Sequence, residues 1–333
     1  MTAQTVFPDN ASGMLPDAAA CRLCPRRCGA GRTVSQPGWC GAREDPGDFR
    51  IARLMVHHWE EPFISGSRGS GAVFFSGCNL GCCFCQNNSI SRQFQGKMIH
   101  GADLLQAVLR LHQAGVHNLN LVTPSHYVRD LPAWLAVLFR EPDWAARPLP
   151  VVWNSSAYET TAALRCLDGL IDIYLPDLKY HESALSAELA GAPDYFAAAS
   201  AAVLEMFRQQ PHPVWDDEGL MLRGMAVRHL VLPGHWQDSC RIIDFLAVNL
   251  PPDLPLSLMS QYTPQPHRNR QCLAGCPQGP EELLWPDGHP ELDRRLTTYE
   301  YRKVTDYALK KGFTHILGQD RSSASSFYTP DFF

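Results

Sequence analysis

No run of lysines and arginines occurs in this chain, and its 29 basic residues are outnumbered by 34 acidic ones, for a formal net charge of -5. The electrostatic footprint of a nucleic-acid or anionic-membrane binder is therefore missing, and neither partner is expected. A basic start followed by an apolar stretch is missing too. Met1 to Ala20 holds acids and prolines instead, so no signal peptide and no transmembrane helix are expected, and the default location is the cytoplasm. Apolar periodicity is almost absent between Cys21 and Ala42, a Gly/Arg/Pro-rich segment with four cysteines that something other than a hydrophobic core must hold together. No internal repeat stands out.

What is present is enough apolar residue, 45% of 333 positions, to bury a substantial core, in one large barrel or two smaller domains. From Gly71 onward short apolar runs alternate with amphipathic stretches, the pattern of repeated strand-helix units around a parallel sheet. Strands are predicted at Ala72 to Ser76, Asn118 to Val122, Val151 to Asn154, Ile171 to Leu175, Val227 to Leu232 and Leu256 to Ser260. Helical spacing places Leu104, Val108 and Leu111 on one apolar face and Phe196, Ala199, Val203 and Phe207 on another. Gly115 and Gly312 end two helices, Asp130 with Pro132 opens one and Pro142 closes it, and a last helix runs from about Leu292 to Lys311. Six such units are too few for a closed eight-stranded barrel, which leaves an open partial barrel or an open doubly wound sheet.

Twelve cysteines in a long chain with no secretion signal, many of them closely spaced, point to metal rather than to a disulfide framework. Cys78, Cys82 and Cys85 form a C-x3-C-x2-C run where the first predicted strand ends, with Cys83 between them as a neighbour. A [4Fe-4S] cubane needs four terminal ligands, so three thiolates on one loop leave one iron open to an exogenous chelator. A zinc knuckle or a group of buried thiols is the plainer alternative. Polar residues recur at the predicted strand ends: Thr123, Ser125 and His126; Asn154, Ser155 and Ser156; Asp177 and Lys179; Gln261 and Tyr262. A parallel barrel builds its active site on that rim.

Around the cysteine loop, Gly69 to Gly77 and Gln86 to Ser91 complete a pattern that resembles the radical S-adenosylmethionine (SAM) proteins related to pyruvate formate-lyase-activating enzyme, in a branch with an extra cysteine-rich N-terminus. The likeness runs from about Cys21 to Gly318. It implies an α/β fold, an open (β/α)6 partial TIM barrel, with a [4Fe-4S] cluster on Cys78, Cys82 and Cys85 and SAM bound at the open iron. It also implies SAM contacts by Asn154, Ser155, Asp177 and Lys179, the last two matching an Asp-x-Lys motif beside SAM. Thr123-Pro124-Ser125 stands where many relatives have Gly-Gly-Glu for the SAM amino group, so Thr123 and Ser125 are candidate contacts on a departing motif. Arg228, ahead of Leu232-Pro233-Gly234, resembles a fifth-strand motif, with an interior salt bridge as the competing role.

Cys21, Cys24, Cys28 and Cys40 form a second set able to close a four-thiolate site holding either zinc or an iron-sulfur cluster. His57 to Gly66 is read as a wall of the site or a bridge between modules, although two histidines beside two acids are more often an ordinary hydrogen-bonded surface. Cys272 and Cys276 lie in the Pro/Gly-rich segment Pro264 to Pro290, as a free or redox-active pair, and Cys166 and Cys240 are expected in the core. The expected organisation is a loose start at 1–20, a cysteine-rich module and connector at 21–66, the barrel at 67–318 and a tail at 319–333.

The implied activity is reductive cleavage of SAM to a 5′-deoxyadenosyl radical that abstracts hydrogen, with a flavodoxin or ferredoxin as electron donor. By analogy the first substrate is a glycine of a glycyl radical protein, and the second a peptide or small metabolite. A zinc or iron-sulfur protein acting by recognition or electron transfer is the reading from another class.

Overall fold

The computed structural model describes residues 20–43, 45–264 and 289–318; Cys272 and Cys276, and the expected loose start and tail, lie outside them. Eleven strands occur among the described residues: β1 (Asp48–His57), β2 (Ser70–Phe75), β3 (Lys97–His100), β4 (Leu119–Val122), β5 (Val151–Ser155), β6 (Ile173–Pro176), β7 (Val214–Trp215), β8 (Met221–Met225), β9 (Val227–Leu230), β10 (Leu256–Met259) and β11 (Ile316–Gly318). The helices are α1 (Pro62–Ser65), α2 (Asn88–Ser91), α3 (Gly101–Gln113), α4 (Leu131–Leu138), α5 (Pro142–Ala146), α6 (Thr161–Arg165), α7 (Ser183–Ala190), α8 (Tyr195–Gln209), α9 (Trp236–Asn249) and α10 (Thr298–Lys310).

The result is a mixed α/β molecule whose largest sheet has eight strands in the order β3-β1-β2-β4-β5-β6-β8-β7 and does not close. From β2 to β6 the strands run parallel and in chain order, Gly71 facing Leu119, Leu119 facing Val151 and Val152 facing Ile173. β9, β10 and β11 form a second parallel sheet. A backbone bridge between Asp177 and Arg228 carries β6 onto β9, with Leu178 N–H donating to the Arg228 carbonyl at 2.9 Å and Ala226 N–H to the Tyr174 carbonyl at 3.0 Å. Every residue of β2, β5 and β6 is buried, as expected for parallel strands covered on both faces. The strand order runs without the reversal that marks a doubly wound sheet.

The main core lies between the strands and the helices. Leu104, Leu105, Val108 and Leu109 of α3, Leu131, Trp134 and Leu135 of α4, Ala199, Val203 and Met206 of α8 and Ile242, Ile243 and Leu246 of α9 pack there. A smaller cluster fills the opposite, concave face, where Phe63 and Ile64 of α1 plug one end against Val152, Ile173, Leu175 and Ala226.

All six predicted strands are present within two residues of their expected ends, and Gly115 and Gly312 do follow α3 and α10. The stretch expected to be a connector contains β1, which pairs with both β2 and β3. Pro142 does not close a helix; it opens α5 at a first-turn position, where its missing N–H has no partner to lose. The last helix starts at Thr298, because Pro290–Asp293 forms a separate 3-10 turn. Leu111 is only half-buried and Leu109 takes its place on the inner face of α3. Cys166 and Cys240 are half-exposed rather than in the core: Cys166 caps α6, and α9 turns Ser239, Ile242 and Ile243 inward instead of Cys240.

α10 begins with a full capping box. The Thr297 hydroxyl accepts from the Glu300 N–H at 3.2 Å, and the Glu300 carboxylate accepts from the Thr297 N–H at 3.0 Å. Arg294 and the Gly234 N–H also donate to Glu300. These bonds, Arg294 first, hold the Glu300 carboxyl well below the usual carboxylate range. A depressed folded-state value stabilises above the unfolded value and is lost as pH falls. Glu300→Gln is expected to cost on the order of 1–2 kcal/mol at pH 7 by urea denaturation. That difference from wild type should shrink progressively below about pH 4.

Candidate functional site

Strand alternation builds the site directly from the fold. Side chains two apart share a face, so Val152 on the concave side is followed by Asn154, Ile173 and Leu175 by Asp177 and Lys179, and Ala226 by Arg228. The apolar members lie against the α1 plug; the polar ones form the next layer, toward the C-terminal ends of the strands. Above them opens a cavity of about 770 Å³, lined also by the loop from Cys78 to Gln86, Gln261 and Tyr262 after β10, and His57 to Pro62.

One ion-pair network organises this layer. The Arg228 guanidinium donates from Nε to Asp177 at 2.7 Å, from one terminal nitrogen to Glu60 at 2.5 Å and from the other to Asn154 at 2.6 Å. Lys179 Nζ meets the second Asp177 oxygen at 2.7 Å, and Asn154 and Asn120 donate to the other Glu60 oxygen at 2.9 and 3.2 Å. Burial works to raise the Asp177 carboxyl, but Arg228 and Lys179 outweigh it and hold it below its ordinary value. Glu61 next door accepts from the Ser257 hydroxyl at 2.7 Å, and burial pushes its carboxyl up.

The three loop thiols each receive one donor: Leu80 N–H to Cys78 at 3.4 Å, Tyr180 hydroxyl to Cys82 at 3.2 Å and Ser91 hydroxyl to Cys85 at 3.4 Å. Burial pushes Cys82 up to about 12, with the Lys179 cation pulling the other way, and burial also raises Cys85. All three line the cavity, whereas Cys83 packs in the core and donates its N–H to Leu189. Three thiols on one loop at the wall of a roomy cavity suit a metal group that keeps an open coordination position.

Cys21, Cys24, Cys28 and Cys40 surround one small void of about 10 Å³ that Leu23, Trp39 and Arg26 help to close, so they too converge, with no room for a substrate. A hydrogen bond from Cys21 brings Cys28 down to about 5 and raises Cys21, while burial pushes Cys24 up to about 12.

This module is fastened onto the Cys78 loop. Arg26 donates to the carbonyls of Asn79, Leu80, Ala190 and Gly191, the last two at the C-terminus of α7, where a cation is favoured. Trp39 is stacked between Arg26 at 3.7 Å and Arg92 at 4.0 Å. Gly77, with φ +99°, lets the Cys40 carbonyl come so close that a β-carbon would lie 2.2 Å from it.

Of the residues singled out by sequence, Thr123, Asn154, Ser155, Asp177, Lys179 and Arg228 come together on the cavity wall. Ser125 does not; it is buried near Glu159, whose carboxylate accepts from the Ser155 hydroxyl and the Trp153 indole N–H. Thr123 holds φ +58°, a left-handed conformation rare for a β-branched residue, at the position where the resembling motif has glycine. Arg228 has its salt-bridging role, inside the site itself. His57, His58 and Trp59 belong to the wall rather than to a detached surface, and Glu60 is the acid that sequence reasoning missed. Two acids just ahead of the Pro62 helix start were the available signal.

No family model matches the chain. An uncharacterized protein of the archaeon Methanocaldococcus jannaschii is 26% identical over 300 residues, covering 87% of this chain and 74% of that protein. Among solved structures, Streptococcus suis SuiB is similar with a TM-score of 0.44 and 13% identity, over 74% of this chain and 47% of that one; the match thus spans less than half of SuiB.

Two substitutions test this geometry. Arg228→Met leaves Asp177 and Glu60 buried without their counter-ion and is expected to cost about 3 kcal/mol or more in urea unfolding, with partial recovery when Glu60→Gln is added. Gly77→Ala forces both a left-handed alanine and a clash with Cys40, and should cost about 3 kcal/mol. It should also speed tryptic cleavage at Arg26 and Arg27 by loosening the module.

Proposed function

We propose that this chain is a radical SAM enzyme with the fold of an open (β/α)6 partial barrel, related to the pyruvate formate-lyase-activating enzymes and carrying a second cysteine-bound group in its N-terminal module. The observation that carries this reading is the convergence, on one cavity at the C-terminal ends of parallel strands, of the C-x3-C-x2-C thiols with Asn154, Asp177, Lys179 and Arg228. The donor set fits a [4Fe-4S] cluster: three thiols, each with one hydrogen-bond donor, and open space beside them for a fourth, exogenous ligand. Reduced by a flavodoxin or ferredoxin, such a cluster supplies one electron to the sulfonium of SAM, releasing methionine and a 5′-deoxyadenosyl radical that takes a hydrogen atom from substrate.

The protein's own contribution is placement. Lys179, kept protonated by Asp177 despite its burial, offers a fixed cation near Cys82 for an anionic group. Arg228 spends its donors on Asp177, Glu60 and Asn154, so it acts by holding that wall rigid instead of by touching SAM. Thr123 presents a short polar group at the end of β4, and its backbone keeps a conformation that glycine would supply, whereas the Ser155 hydroxyl is held by Glu159. Trp59, Phe84 and Tyr262 lend apolar surface to the cavity wall. The N-terminal module, sealed and packed against the Cys78 loop, suits a second iron-sulfur cluster or a structural zinc. The substrate reading carried by the resemblance is a glycine of a partner protein.

Anaerobic reconstitution with iron and sulfide, reduction with dithionite and addition of SAM should yield 5′-deoxyadenosine and methionine. Replacing Cys78, Cys82 or Cys85 by Ala should lower that yield at least about 100-fold by loss of the cluster. Wild-type levels in those variants would end the proposal. Substrate-dependent 5′-deoxyadenosine without a glycyl radical signal by electron paramagnetic resonance would redirect the substrate to a peptide or metabolite.

A further inference from the structure

We propose that His235, His289 and Glu291 form a binding site for a borderline first-row divalent ion of the zinc class, separate from both cysteine sets, which clips residue 289 to the loop after β9. One nitrogen of each histidine and one oxygen of the glutamate all lie within 4.8 Å of one another. His235 Nε2 is 3.0 Å and His289 Nδ1 is 2.6 Å from the same Glu291 oxygen. Nitrogen and oxygen ligands about 2.0–2.1 Å from a tetrahedral ion are about 3.4 Å apart, so an ion replaces the shared protons with only a small outward movement of the three side chains. Two imidazoles and one carboxylate are a donor set that zinc, cobalt and nickel share, and they leave one position for water.

Two features outside the trio support a built site. The second ring nitrogen of His289 meets the Glu188 carboxylate of α7 at 2.6 Å. That is the arrangement by which a carboxylate fixes the tautomer and orientation of a metal-ligating histidine, with Nδ1, now on Glu291, as the nitrogen that would face the ion. Gly234, with φ +82°, precedes His235, and a β-carbon there would stand 2.6 Å from Glu291 Cγ, so the glycine is what admits the carboxylate. None of the three residues lines the large cavity, and all are only partly buried, with side-chain exposures of 22%, 13% and 23%, which leaves a path for an ion. The site would join positions 56 apart in the chain.

The test uses the full-length apo chain titrated with Co²⁺, whose bonds to thiolates give near-ultraviolet charge-transfer bands that bonds to imidazole and carboxylate lack. Relative to wild type, His235→Gln and His289→Gln should each bind about one fewer cobalt per chain with unchanged charge-transfer absorbance. Glu188→Gln, with all ligands intact, should keep that equivalent but bind it about 10- to 100-fold more weakly. In iron-loaded protein, added Zn²⁺ should raise the melting temperature of wild type and not that of His289→Gln, a readout that does not depend on SAM cleavage. Equal cobalt stoichiometry in wild type and both histidine variants, or an equal zinc shift in wild type and His289→Gln, would reduce the cluster to a hydrogen-bonded ion pair and overturn the proposal.

Discussion

The junction between β6 and β9 holds the site together. There one main-chain bridge and one side-chain ion pair fall on the same two residues, Asp177 and Arg228. The bridge, with the Ala226 N–H on the Tyr174 carbonyl, joins the two sheets, and the ion pair recruits Glu60 from the loop before α1 and Asn154 from the end of β5. Four positions far apart in sequence are thereby held in one polar layer. A buried guanidinium with every donor group engaged tolerates little displacement, because each lost bond leaves a desolvated charge behind. The same constraint that completes the fold therefore sets the shape of the cavity.

The N-terminal module depends on a different kind of fastening. It has little apolar surface, and its contact with the rest of the chain is made by Arg26 on four carbonyls, by Trp39 between two guanidiniums and by the close approach of Cys40 to Gly77. These contacts end on the loop that carries Cys78, Cys82 and Cys85. Any group bound in the module would thus bear on the geometry of that loop, and a loosened module would loosen the thiols facing the cavity.

The fold was legible wherever burial on both faces imposed a continuous apolar run. β2, β5 and β6 are such runs, and their boundaries were nearly right. β1 and β3 were not foreseen: β1 is half-buried over most of its length and includes charged residues, and β3 is four mostly exposed residues on a sheet edge. Pro142 was misread because a proline marks the start of a helix as readily as the end of one. Ser125 is expected at the cavity from its place just past β4 in the Thr-Pro-Ser stretch, but the 3-10 turn at Ser125–Tyr127 carries it toward Glu159.

By itself the sequence determined the local groups: two sets of closely spaced cysteines, and polar residues where apolar strands stop. It also determined which of those residues share a face, since Asp177 and Lys179 lie two apart on one strand direction. Only the tertiary structure decided which of them meet. Glu60 joins Arg228 across 168 positions, and Glu291 joins His235 across 56, at distances that no periodicity encodes. The physical reason is that backbone geometry repeats over two to four residues, whereas ion pairs and ligand sets are selected by the packing of whole strands and loops.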